Sequence, residues 1–475
     1  MFINLDKINS NVGFLRFKKL GDFYLLTNDI EFIKLTEKDF SDFLGGKLQE
    51  DGDIYKELYR KGFMKTGIVE NRIALRYRQK HGFLVRKGVG LHIVVVTKRC
   101  NHLCVYCQAG SPELQKATYD MTEEVAKKTV DLIFQTPNSY ITIEFQGGEP
   151  LINWKVVKFI IEYANSKNET CKKNLNFALI TNLSLMTEEM YDYLVKNNIH
   201  ICTSLDGPEH VHNKNRPYLN RKDSYQIVAE WAERMRKNEK ENNLQKTLSA
   251  LPTLTRYSLE HIEEVIDEYI KINARSIHLR QLSYLGDSSG DKKKNEIGYT
   301  AEEFIVAWKK GLDYIIKKNK EGFFIAERHV VILLEKIFKE NGNNFLDLRS
   351  PCGAGIGQLA YFYNGDIYSC DEGRMTGNDL FKLGNVFENN YTDITECSKT
   401  KALITASTLE NFSCDDCVYK PYCGTCPVLN YVLYNNLFPN IRTTDKCKIN
   451  MAILDYLFLK MEDEEVLKIF KTWIR

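Results

Sequence analysis

The run LHIVVVT at 91–97, apolar at nearly every position, opens a rhythm that fills the middle of the chain. A strand buried on both faces shows such a continuous hydrophobic run, not an alternating one. Further strand segments follow at YITIEFQ (140–146), LNFALIT (175–181), HICTSLD (200–206), TLSALPTL (247–254) and RSIHLRQL (275–282). Helical stretches lie between them, near 122–135, 154–167, 187–197, 224–241 and 258–272. Thr122 opens the first as an N-cap. This alternation predicts a parallel α/β sheet or open barrel with its helices outside. In such a barrel the chemistry gathers at the C-terminal ends of the strands.

The flanks differ. Residues 1–85 give short aromatic and aliphatic runs broken by Gly-Asp and Asn-Asp turns, then short helices such as LTEKDFSDFLGGKL. This predicts a winged-helix-like α+β unit. With the barrel assigned to 86–300, residues 301–349 read as a helical linker and 451–475 as an amphipathic helix. Residues 350–450 are rich in Cys, Gly, Asn and Tyr, with a hairpin turn expected at Asn364-Gly365. A region that small and irregular needs metal to hold it together.

Composition narrows the classes. The 475 residues predict more than one domain. The 65 basic and 63 acidic side chains nearly cancel, which gives no electrostatic case for nucleic acid or a membrane surface. No stretch reaches the roughly 20 apolar residues of a spanning helix, and the start MFINLDKINSNVGFLRFKKL lacks a signal-peptide core. The expected location is the cytoplasm, where the 13 cysteines point to metal binding more than to disulfides. Ten of them fall in two groups. Cys171, Cys202 and Cys397 stand apart and read as ordinary thiols.

The first group, KRCNHLCVYCQAG, follows the first barrel strand and places Cys100, Cys104 and Cys107 at spacing Cys-x3-Cys-x2-Cys. Three thiolates hold three irons of a [4Fe–4S] cluster and leave the fourth open to a ligand. A zinc site with His102 as fourth ligand is the alternative. The second strand ends in FQGGEP, where two glycines allow close backbone approach and Glu149 offers a carboxylate. With these motifs the chain resembles the radical S-adenosylmethionine (SAM) superfamily. The resemblance implies a partial (β/α)6 radical SAM barrel with the cluster on Cys100, Cys104 and Cys107. It also implies Tyr106 near the adenine and Gly147, Gly148 and Glu149 at the SAM amino group. Gln146, Asn182 and Ser204 would contact SAM, and Arg216 its carboxylate. The plainer reading makes Asp206-Gly207 a turn and Arg216 a surface side chain. His102, His210 and His212 lie near the site, but a loop histidine is usually solvated.

The second group comprises Cys352, Cys370, Cys414, Cys417, Cys423, Cys426 and Cys447. Its thiolates exceed the needs of one metal site, and a zinc ribbon is the alternative for the central four. The segment resembles the SPASM auxiliary-cluster domain. By that pattern Cys414, Cys417, Cys423 and Cys447 hold one [4Fe–4S] cluster, and Cys352, Cys370 and Cys426 the other. Cys423-x2-Cys426 is one residue shorter than the pattern, and the nearer cluster has no evident fourth ligand.

Over its whole length the chain most resembles the His-Xaa-Ser system radical SAM maturases. This implies a 5′-deoxyadenosyl radical acting on side chains of a ribosomally made precursor peptide or protein, with an electron donor such as ferredoxin or flavodoxin. An anaerobic sulfatase maturase is the enzymatic alternative, and an iron–sulfur carrier or scaffold the non-catalytic one. Asp371 and Glu372, beside Cys370, are acid–base candidates by position alone.

Overall fold

β-Branched and aliphatic side chains crowd the segments that become the central sheet, where both faces are covered. The protein, a computed structural model, is described at residues 8–65, 71–75, 77–78, 87–110, 116–219, 223–242, 248–286, 291–339 and 348–474. An N-terminal antiparallel meander holds β1 (Arg16–Leu20), β2 (Phe23–Thr27) and β3 (Phe32–Thr36) in the order β1-β2-β3. Helices Glu37–Leu44 and Asp53–Lys61 follow it, the first capped by the Thr36 hydroxyl. The barrel strands are β4 (Leu91–Thr97), β5 (Tyr140–Gly147), β6 (Asn174–Ile180), β7 (His200–Ser204) and β8 (Leu248–Leu251), all parallel. Val94, Val96, Ile143, Phe145, Leu179 and Ile201 enter one core from the same face of the sheet. β4 is buried on its other face as well, whereas β5 alternates and leaves Thr142, Glu144 and Gln146 half-buried.

The sixth predicted strand is cut short. Only β9 (Ser276–Ile277) pairs, and it pairs with β10 (Ala326–Glu327), not with β8. Ile277 and Leu279 are buried between more exposed neighbours, and the alternation breaks before Leu282, so the segment lacks the two-sided apolar run of β4. The sheet grows from its other side instead. β11 (Gln358–Tyr361) lies parallel to β4 with Tyr361 opposite Val94. β12 (Asp366–Tyr368) and β13 (Lys382–Asn385) extend it antiparallel, giving the order β13-β12-β11-β4-β5-β6-β7-β8. The expected turn between β11 and β12 is present, with Gly365 at φ +89°. The molecule is thus an α/β fold with an eight-stranded, mostly parallel sheet and a cysteine-rich C-terminal region.

Helices Ala301–Lys320 and Arg328–Phe338 share a core with the C-terminal helices, through Trp308, Leu312, Leu334, Leu457 and Phe470. The predicted single tail helix is two, Asp445–Lys460 and Glu464–Trp473, the second capped by Asp463. The N-terminal meander docks on the cysteine-rich region. Arg16 Nε donates to the Asp415 carbonyl at 2.7 Å, and the Thr27 hydroxyl to the Val418 carbonyl at 2.8 Å. Ion pairs Lys18–Asp455 and Lys34–Glu462 flank this seam. Among the described residues no helix is long and apolar enough to cross a membrane.

Candidate active site

The C-terminal ends of β4 to β7 converge on the first cysteine loop. The loop is anchored at its root: Thr97 donates its hydroxyl to Asp120 at 2.6 Å, and Arg99 Nε reaches the same carboxylate at 2.8 Å. Gly147 and Gly148 press against it. A β-carbon on either would stand 2.2 Å from the Thr97 or Arg99 carbonyl oxygen. The close approach read from the two glycines is therefore made to this loop. Gly148 N and Glu149 N donate to those two carbonyls at 2.9 and 2.8 Å.

Glu149 is fully buried and caps the turn Pro150–Asn153. Its carboxylate accepts from Leu151 N, the Thr181 hydroxyl and Asn182 N at 2.7–3.0 Å. Burial nonetheless pushes its pKa up to about 6. Asn182 turns its amide onto the cysteine loop, donating to Asn101 Oδ1 and meeting His102 Nδ1, both at 2.9 Å. Ser204 ends β7, half-buried. Gln146 lies between Glu144 at 2.7 Å and Arg374 at 3.3 Å. Arg374 is paired in turn with Asp371 at 2.6 Å, and Glu372 with Arg280 at 3.5 Å. Neither of these two carboxylates is free of a cationic partner.

Arg216 is an interior residue, not a surface one. It is buried and donates to the Tyr106 hydroxyl at 2.5 Å, which itself donates to the buried Asp206 at 2.7 Å. Asp206 also accepts from Thr253 N at 3.0 Å, so the expected turn residue is a structural hub. His102 and His212 also depart from the solvated expectation. Both are buried and share the Ser224 hydroxyl, at 2.9 and 3.1 Å. A hydroxyl donates once and accepts twice, so it serves two imidazoles. Burial lowers the His102 pKa to about 3 and that of His212 well below its usual value. His102 stacks on Tyr218 at 4.7 Å, whereas His210 is exposed.

Cys100, Cys104 and Cys107 are half-buried neighbours. Burial, with the adjacent thiols, pushes Cys100 up to about 12, and burial pushes Cys104 to about 11 against the opposing Arg216. The later cysteines assemble into two further sets. Cys414, Cys417, Cys423 and Cys447 line one small, mostly apolar cavity. Cys370 is buried near Cys352 and Cys426. Its sulfur accepts from Gly373 N at 3.2 Å, and the Cys426 sulfur from Leu429 N at 3.4 Å. Among the described residues no three of these sulfurs lie within 4.8 Å of one another. Tetrahedral zinc would draw its thiolates to about 3.8 Å apart, so the wider spacing suits multi-iron clusters. Cys171 is exposed, Cys202 buried and Cys397 half-buried; Cys397 caps helix Ser398–Thr405.

A cavity of about 280 Å³ opens between the segment after β9 and the C-terminal region. His278, Arg280, His329, Asn430, Asn450 and Cys426 are among its lining. Sequence reasoning missed Asp206, Arg374 and Glu327. Glu327 is buried and accepts from Leu279 N and Val330 N at 3.0 and 2.6 Å, so it clamps the two segments that carry those cavity histidines. No local spacing marked any of the three.

Residues 94–269 match the family model described as Radical SAM superfamily. An uncharacterised protein of Methanocaldococcus jannaschii is 36% identical over 132 residues, 28% of this chain and 43% of that one. A cysteine-type anaerobic sulfatase-maturating enzyme of Clostridium novyi is 23% identical over 345 residues, 71% of this chain and 87% of that one. Among solved structures, native anSMEcpe with bound AdoMet superposes with a TM-score of 0.67 at 19% identity, covering 81% of this chain and 99% of that one. Streptococcus suis SuiB bound to precursor peptide SuiA gives 0.54 at 17%, covering 91% and 97%. Radical SAM proteins use a [4Fe–4S] cluster, and the C-terminal cysteine sets here suit auxiliary clusters. The strand order, the loop of three thiols after β4 and the family match together identify a radical SAM domain at residues 94–269 of this chain.

Proposed function

We propose that this protein is a radical SAM enzyme that modifies side chains of a ribosomally synthesised peptide or protein. The observation that carries the reading is the loop of Cys100, Cys104 and Cys107, pinned to Gly147–Glu149 at the C-terminal mouth of the sheet. These three thiols would hold a [4Fe–4S] cluster with one iron open to SAM. When bound, the pair supplies reductive cleavage of the sulfonium, giving a 5′-deoxyadenosyl radical that takes a hydrogen atom from substrate.

The chain's own residues bind, orient and enclose. Gly147 and Gly148 let β5 lie on the cysteine loop. Tyr106, Gln146, Glu149, Asn182, Ser204 and Arg216 ring the place for the nucleotide. Arg216, already desolvated, suits a carboxylate. The cavity holding His278, Arg280 and His329 suits a peptide side chain presented between the radical and the Cys352, Cys370 and Cys426 set. The Cys414, Cys417, Cys423 and Cys447 set would hold the outer cluster. β1 and β3 are the outer strands of the N-terminal meander, an arrangement that suits strand addition by a leader segment. Peptides bound in SuiB and in an anSMEcpe structure support a peptide substrate. The motif resemblance to His-Xaa-Ser maturases favours a small peptide, with a ferredoxin or flavodoxin as electron donor.

The test is anaerobic reconstitution followed by counting and turnover. About twelve irons per chain are expected, the sum of three four-iron clusters, with release of 5′-deoxyadenosine from SAM under dithionite. Cys104→Ala should abolish that release. Wild-type protein that holds iron but never cleaves SAM would refute the proposal.

A further inference from the structure

Two histidines and a glutamate meet on the rim of the sheet, outside the cysteine sets. His210 lies in helix Glu209–Asn215, which follows β7. His261 joins helices Arg256–Glu260 and Ile262–Lys271, which follow β8, and Glu264 lies one turn further on. One ligand atom from each stands within 4.8 Å of the others. The imidazoles meet edge to face with centroids 4.6 Å apart, and His261 Nδ1 sits 2.7 Å from Glu264 Oε1.

The backbone beneath is fixed. Gly207 holds φ at +135°, and a β-carbon there would come within 2.7 Å of Val265, itself fully buried. The loop after β7 therefore lies directly on the helix that carries Glu264. The donors themselves are exposed or half-buried, so their side chains are able to swing.

We propose that His210, His261 and Glu264 bind one divalent transition-metal ion, zinc by donor set. Two imidazole nitrogens and one carboxylate oxygen form a three-ligand zinc set with the fourth position left to water. Zinc bonds near 2.0 Å would set the donors about 3.3 Å apart. His261 Nδ1 and Glu264 Oε1, now 2.7 Å apart, would part slightly and any wider pair would close, small shifts for exposed or half-buried side chains. The ion would staple the loop after β7 to the helices after β8. That loop carries Asp206, the partner of Tyr106, so the staple would stiffen one wall of the candidate active site.

The test uses the full chain with its iron–sulfur clusters loaded, so that the thiols are occupied. It is dialysed anaerobically against buffered micromolar zinc, and zinc and iron are counted by mass spectrometry. Wild type should hold about one zinc per chain more than the His210→Ala/His261→Ala variant at equal iron. Glu264→Gln should need at least about tenfold more free zinc, the loss that even outer-shell changes cause. Zinc should raise the melting temperature of wild type and not that of His210→Ala. Equal zinc retention by wild type and the double variant, at equal iron, would overturn the site.

Discussion

A methyl group on Gly148 would stand 2.2 Å from the Arg99 carbonyl oxygen and 2.5 Å from that of Lys98. Gly148→Ala must therefore push the cysteine loop off β5. The expected loss is roughly four irons of about twelve, with 5′-deoxyadenosine formation down about a hundredfold, as misplacement by an ångström costs. Full iron and near-normal turnover would show that the loop gives way harmlessly. At Glu327, burial holds the carboxyl near 7 against an ordinary 4.5. The folded chain binds that proton more tightly than the unfolded chain. Its contribution is whole below about pH 4.5 and is lost as pH rises through 7, on the order of 3 kcal/mol in all. Urea unfolding should show wild type losing stability relative to Glu327→Gln over that window; the opposite slope would contradict the assignment. Residues of these two kinds differ in legibility. Cys100, Cys104 and Cys107 are readable together because they share one loop at close spacing. Tyr106, Asp206 and Arg216 meet across 100 and 110 positions of chain, which no local spacing encodes.

Among the elements, β4 was readable because a strand covered on both faces leaves an unbroken apolar run, and β5 because its apolar positions alternate. β11 was not. Its residues Gln358–Tyr361 sit far along the chain, and their pairing with β4 is decided by packing. The same holds for the tie between the cysteine loop and helix Ser224–Glu241. There the Ser224 hydroxyl serves His102 and His212 at 2.9 and 3.1 Å inside the protein. Ser224→Ala leaves two buried ring nitrogens short of a partner, a cost of about 1–3 kcal/mol. Chemical denaturation of the loaded enzyme measures it. A change below about 0.5 kcal/mol, the range of ordinary surface substitutions, would mean that the rings are held without this hydroxyl, by Asn182 on His102, Asp206 N on His212 and the ring contacts with Tyr218 and Tyr225.

At the scale of the whole molecule, the cysteine sets and the domains report on each other. Cys423→Ala and Cys426→Ala should each remove roughly four irons, from different centres, so their electron paramagnetic resonance spectra should lose different components. Identical spectra would merge the two sets into one. Only the Cys423 variant should loosen the N-terminal meander, whose Arg16 and Thr27 rest on the carbonyls of Asp415 and Val418. Hydrogen exchange across residues 16–36 reads that difference. The seam has a consequence for damage. If air destroyed the cluster proposed on Cys414, Cys417, Cys423 and Cys447, the N-terminal meander would lose the carbonyls it rests on, and a leader segment bound at its edge by the proposed strand addition would go with it while the proposed radical centre stayed intact. Rebuilding that one centre would return both.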